Sequence, residues 1–182
     1  AATPEPATPS NTRIISTRIR PWVEIAFHPL RCVLEADKVT VDFEIELSNS
    51  GSAPARGVLV EAGLFNAGSD QDQDIGAFFA KPDSGADRID VIPPMSRMAL
   101  RTKVSAPLDQ VRAYELAGRR VFLPLIAFNA LYKWSGGVGQ TSASYLLGRD
   151  TDGEKMGPFR LDLGPRIFRG VGGRLLPAGI RR

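Results

Sequence analysis

The sequence predicts an all-β fold, an antiparallel β-sandwich, and three observations carry that expectation. Several segments alternate apolar and polar residues with a period of two, the pattern of a strand with one buried face. Prolines and glycines, 14 and 18 of 182 residues, are spread along the chain as turn punctuation. Only one segment reads as a helix. Together these give about seven to nine strands with one short helix near residues 108–118.

Residues 1–19 begin "AATPEPATPS" and read as a Pro/Ala-rich spacer that turns basic at "TRIISTRIR". With no initiator Met, the start reads as that of a processed protein or an excised fragment. Strand signals follow. "PWVEIAFHPLR" (21–31) sets Val23, Ile25 and Phe27 on one face. "KVTVDFEIELS" (38–48) alternates Val39, Val41, Phe43, Ile45 and Leu47 with Thr40, Asp42, Glu44 and Glu46, apolar in and acid out. "NSGSAPARG" supplies small residues for a bend, and "RGVLVEAGLF" (56–65) alternates again. "DIGAFFA" (74–80) is a short apolar run between polar loops, and 87–107 holds two strands around a Pro-Pro break.

"LDQVRAYELAG" (108–118) reads as the helix: Asp109 caps it, Val111 and Tyr114 share a face, and Gly118 ends it. "RRVFLPLIAFNALYKW" (119–134) is apolar on both faces, as a central strand covered on both sides must be. "GQTSASYLLGR" (139–149) returns from it as a hairpin across "SGGV", and "MGPFRLDLG" (156–164) gives a last short strand. The sandwich domain therefore runs over 20–164, followed by an Arg-rich extension over 165–182.

Residues 38–134 resemble the immunoglobulin-like modules of bacterial envelope proteins of the CARDB (cell-adhesion-related) type. The likeness rests on "VDFEIELSNSGSAPARGVLVEAGLF", with Asn49, Gly51, Ala53 and Ala55 in the turn, followed by "VIPPMSRMALRTKVSAP". Pro93, Pro94 and Met95 stand where such modules have Pro-Gly. The resemblance implies an immunoglobulin-like sandwich and an envelope setting, periplasmic or membrane-tethered. It brings no catalytic motif.

The chemistry-bearing patterns are few. "NSGSAPARG" and "GGVGQT" have the glycines of a phosphate loop but lead into strands, whereas such loops need a helix N-terminus to face the anion. In "SDQDQDIG", Asp70, Asp72 and Asp74 match the first three ligand positions of a calcium loop. Ile75 stands where the turn glycine belongs and Lys81 where the closing acid belongs. "RDTDGEK" offers a second acidic loop through Asp150, Asp152 and Glu154.

His28 and Cys32 are the sole residues of their types, and positions four apart in a regular strand share a face. A zinc site needs further ligands, and a Cys–His nucleophile needs an orienting group, so Cys32 reads as a buried small hydrophobe. A single cysteine rules out a disulfide within the chain. No G-x-S-x-G elbow occurs, and an enzyme is not expected.

The formal net charge of +3 is too small to point to nucleic acid, but its placement is uneven. Arg166, Arg169, Arg174, Arg181 and Arg182 follow Asp162, the last acid, and are interleaved with Ile167, Phe168, Leu175, Leu176 and Ile180. Such a segment suits a protein partner or an anionic membrane surface. The expected function is thus a non-enzymatic interaction or accessory module. The alternative is a calcium- or carbohydrate-binding module, with Trp22, Trp134 and Tyr132 as the candidate sugar-stacking rings.

Overall fold

In the computed structural model, residues 19–82, 87–150 and 156–182 are described. The strands, in chain order, begin with β1 (Val23–Leu34), β2 (Lys38–Asn49) and β3 (Ala55–Asn66). A helix, α1 (Gln71–Ala80), precedes β4 (Asp87–Ile92), β5 (Arg97–Pro107), β6 (Tyr114–Leu116) and β7 (Arg119–Phe122). Then come β8 (Pro124–Trp134), β9 (Gly137–Arg149) and β10 (Phe159–Arg160). The chain closes with β11 (Arg166–Phe168), β12 (Val171–Leu175) and β13 (Ile180–Arg181).

These strands form two main antiparallel sheets, ordered β11-β1-β2-β5 and β12-β9-β8-β3-β4, with β13 also pairing β9. A small third sheet has the order β10-β7-β6. The chain passes from the first sheet to the second between β2 and β3, returns between β4 and β5, and crosses again before β8. This is the Greek-key habit of immunoglobulin-like sandwiches.

The pattern of β2 explains the interior. Val39, Val41, Phe43, Ile45 and Leu47 are all fully buried, while Asp42, Glu44 and Glu46 point outward. Opposite them the second sheet contributes Val58, Ile126, Phe128, Tyr145 and Leu147. Phe27 holds the layers together, with ring centroids 5.6 Å from Phe43, 5.4 Å from Phe128 and 4.9 Å from Tyr145. Tilted rings at these spacings bury large apolar areas and add favourable edge contacts.

The first half of β8 is covered on both sides, as the apolar run Leu125–Phe128 requires. Ile126, Phe128 and Ala130 enter the main core, while Leu125 and Ala127 lie beneath Ala67, Ile75 and Phe79 in a second cluster. Ile75 and Phe79 are one helical turn apart, so α1 uses a single stripe to seal the outer face of the second sheet.

The helix is therefore at 71–80 and not near 108–118. Residues 108–110 form one 3-10 turn, and 114–122 form the β6–β7 hairpin. The hairpin turn explains the difference. Ala117 and Gly118 both have positive φ, +52° and +74°, the pairing that a tight hairpin turn demands and a helix forbids. The apolar cues had other uses: Val111 packs on the core and the Tyr114 hydroxyl donates to the Ala67 carbonyl.

The C-terminal segment 165–182 likewise folds into the sandwich instead of extending from it. β11 pairs with β1 in the first sheet, while β12 and β13 pair with β9 in the second. No helix among the described residues is long and apolar enough to cross a membrane. The spacer assigned to 1–19 lies outside the described residues except for Ile19.

Candidate functional site

The outer face of the first sheet is built by register. Cross-strand partners set His28, Glu44 and Arg101 in one row and Arg31, Asp42 and Lys103 in the next. The second row depends on an irregularity. Between Pro29 and Arg31 the register slips by one residue, a β-bulge at a proline that has no N–H to give the ladder. Strict alternation from Phe27 would aim Arg31 at the core. The extra residue reverses the sense, so Arg31 faces out and Cys32 faces in, completely buried.

This arrangement separates His28, which is exposed, from Cys32, so the two do not form a site. Burial, with a smaller contribution from the Asp42 charge, pushes the Cys32 thiol up to about 12. It stays a neutral thiol at any physiological pH, without nucleophilic character.

Beside Arg31 lies a cleft of about 640 Å³, lined by Leu30, Arg31, Asp42, Arg101, Lys103 and Arg169 among others. Arg169 arrives from the C-terminal segment. Because Phe168 partners Cys32, the next residue comes alongside Arg31. Four cations thus surround one acid. Asp42 is engaged by Arg31, and Arg101 stands 4.0 Å from Glu44. Lys103 and Arg169 make no ion pair among the described residues. Like charges gathered on a sheet face cost stability, and the uncompensated excess is positive. Chemically, the cleft is suited to carboxylates or other anions.

The other tail arginines do not join this patch. Arg181 pairs with Glu24 at 3.1 Å and also stacks over Trp22, 4.9 Å from the ring centroid. Arg182 donates to the Gln140 side chain at 2.9 Å, and its backbone pairs with that of Gln140 in both directions. Arg166 lies over Phe168 at 6.0 Å, and Arg174 stands on β12 opposite Leu146. Of the five arginines, Arg169 alone lines the cleft. The remainder of "TRIISTRIR" before Ile19 lies outside the described residues.

The candidate sugar-stacking rings are used internally. Arg20 covers Trp22 at 3.5 Å and Trp134 at 4.5 Å, and Tyr132 is buried. The acidic stretch is no loop either: Asp70 is the N-cap of α1, with Asp72 and Asp74 in its first turn. Asp72 then points about 200° around the helix from Asp70, away from any ion its neighbour would hold. Asp70 pairs with Arg112 at 3.2 Å. Among the described residues no group of three His, Cys, Asp or Glu side chains is placed to hold a metal. Asp152 and Glu154 lie outside the described residues.

The turn between β2 and β3 is fixed by Asn49 and Gly51. Asn49 is buried, and its Oδ1 accepts from the Trp22 and Gly51 amides at 3.1 and 3.0 Å. Its Nδ2 donates to the Ala53 and Ile92 carbonyls at 2.8 and 3.0 Å. At Gly51 a Cβ would come within 2.2 Å of the Arg20 carbonyl oxygen, so only glycine fits. Met95 takes φ +58°, the conformation a Pro-Gly turn assigns to glycine, while 82% exposed.

Sequence reading missed a second polar set on the other sheet. Ser142 donates to Asn129 Oδ1 at 2.6 Å, while the amides of Asn129 and Gln140 donate to the Phe78 and Phe79 carbonyls. These bonds satisfy carbonyls at the end of α1 and fix the helix to the sheet. The signal was Asn129 itself, a polar residue inside an apolar run.

Comparison with known protein families gave no matching family model, and comparisons with curated proteins and with solved structures gave no significant match.

Proposed function

We propose that the protein is a non-enzymatic interaction module of the bacterial cell envelope, an accessory or structural part that associates with a membrane protein or complex through the outer face of its first sheet. The carrying observation is the cleft where Arg31, Arg101, Lys103 and Arg169 gather around Asp42. A fold that accepts such repulsion on a rigid sheet gains an electrostatically complementary surface for an acidic partner. The partner class is a protein presenting carboxylates. The resemblance of residues 38–134 to CARDB-type modules is the ground for proposing the envelope setting, periplasmic or membrane-tethered.

A calcium- or carbohydrate-binding role has less support, given the spread of Asp70, Asp72 and Asp74 and the covered faces of Trp22 and Trp134.

A photo-crosslinking residue at Leu30, on the rim of the cleft, tests the reading in native envelopes. The expected result is one dominant protein adduct, lost when Arg101, Lys103 and Arg169 are changed together to Gln. No adduct, or an adduct indifferent to those changes, overturns it. Flotation with phosphatidylglycerol vesicles is the second arm: arginine-dependent flotation without a protein adduct replaces the protein partner with a lipid surface.

A further inference from the structure

The outer face of the second sheet carries a separate feature. Beyond the part sealed by α1, the same three strands, β3, β8 and β9, form an open groove of about 570 Å³. Its floor follows the register: Leu59 partners Leu131, and Leu131 partners Gln140. Val138 forms one wall and is 72% exposed, a high value for a branched apolar residue beside a concave surface. The size and apolar character match small-ligand sites, which are mostly hydrophobic with a few placed polar groups.

The backbone is shaped at this point. Arg56 partners Lys133 and Leu59 partners Leu131, so β3 spends three steps where β8 spends two. The additional residue falls at Gly57, whose φ of +54° is that of a glycine bulge. A Cβ at Gly57 would meet nothing within 4 Å, so the bulge opens onto free space at the groove. Bulges of this type recur where a sheet re-aims its side chains around a site.

The rim is cationic. Arg56 and Lys133 stand directly opposite each other, and neither makes an ion pair among the described residues. Arg182 closes the far side, held through Gln140 with part of its guanidinium still available. No acidic side chain among the described residues lines the groove. An apolar trough ending at uncompensated cations complements one class of ligand: a chain of methylenes that terminates in an anion.

We propose that this groove binds a free single-chain fatty-acid carboxylate, the alkyl chain lying over Leu59, Leu131 and Val138 and the carboxylate meeting Lys133 and Arg56. The basic composition of "TRIISTRIR" makes the chain's own N-terminal segment a poor match to the same cationic rim. The site is independent of the cleft on the first sheet and of the partner proposed there.

Titration calorimetry of the full chain with dodecanoate, below its micelle concentration, tests this. Dodecyltrimethylammonium serves as the cationic control. The expected result is saturable binding of one dodecanoate per chain, at least tenfold tighter than the control. Lys133→Gln should weaken dodecanoate about tenfold, as loss of one charge-assisted contact would. Val138→Asp should weaken it further; both positions are solvent-facing, so the thermal midpoint of the free protein should stay unchanged. Amide shifts in labelled protein should centre on Leu59, Leu131 and Val138. Absence of one-to-one binding, equal affinity for the two amphiphiles, or variants that bind as the parent does would each overturn the proposal. So would binding to phosphatidylglycerol vesicles without binding to dodecanoate.

Discussion

The guanidinium of Arg20 sits over the indole of Trp22, its central carbon 3.5 Å from the ring centroid. The same group is 4.5 Å from Trp134, and Arg181 approaches Trp22 at 4.9 Å. Cations and rings therefore alternate across the end of the sandwich, joining the start of β1 to the end of β8 and to β13. Two ring contacts on a partly buried cation are worth about 1–3 kcal/mol. Arg20→Ala should lower the urea-unfolding free energy by that amount. Arg20→Lys should recover less than half, because an ammonium cannot stack as a plane between two rings.

Asn49 should be the most sensitive polar residue of the turn. All four of its side-chain hydrogen bonds go to backbone groups, and it is 1% exposed. Asn49→Ala orphans buried amides and carbonyls and should cost about 2–4 kcal/mol. Asn49→Asp should cost at least as much, since its second oxygen would face the Ala53 and Ile92 carbonyls as an acceptor against acceptors. Equilibrium denaturation of both variants checks the order.

Met95 gives the opposite sign. A side chain at φ +58° carries left-handed strain of about 1–2 kcal/mol, which glycine avoids at some entropic cost. Met95→Gly should therefore raise stability by about 0.5–1 kcal/mol. A loss of stability would show that the exposed methionine makes a contact worth more than the strain.

Cys32 sets an alkaline limit. Its thiol titrates near 9.0 in the unfolded chain and near 12 in the folded one, because burial and then the Asp42 charge oppose the thiolate. The unfolded state thus gives up its proton first as pH rises. The stabilisation from this group is complete below pH 9 and declines from there toward pH 12, by an amount on the order of 4 kcal/mol at the end. Burial raises Tyr145 in the same sense. Cys32→Ala should flatten the fall in stability between pH 9 and 11, measured by urea midpoints. In native protein at pH 8 the thiol should not react with Ellman's reagent until the chain is unfolded.

The parts of this fold that were legible in the sequence are those where one physical demand governs a run of residues. In β2 each second side chain enters the core, so Val39 to Leu47 could be read directly. The helix at 71–80 was opaque because its buried stripe is only Ile75 and Phe79, blurred by Phe78 beside them. β11 and β13 have three and two residues, too few to show any period. The cationic cleft draws Arg31, Arg101, Lys103 and Arg169 from three separated segments, and a bulge decides that Arg31 faces out. Single-sequence patterns report local periodicity; neither register between distant strands nor a one-residue slip leaves a trace there.

That cleft makes a final prediction about stability itself. Arg169 sits beside Arg31 without an ion pair among the described residues, while Arg31 is already committed to Asp42. If the cations are held together for binding, the native fold tolerates a repulsion that a substitution can relieve. Arg169→Glu should therefore stabilise the protein by about 0.2–0.5 kcal/mol at low ionic strength, a small gain because the groups are solvent-exposed. The gain should shrink as salt rises and the screening length falls to about 3 Å at 1 M. The same substitution should abolish the Leu30 crosslink. Stabilisation coupled to loss of binding is the expected exchange at a functional surface. Destabilisation by Arg169→Glu at low salt would instead mark Arg169 as a structural residue and leave Lys103 as the cleft's one cation without an ion pair among the described residues.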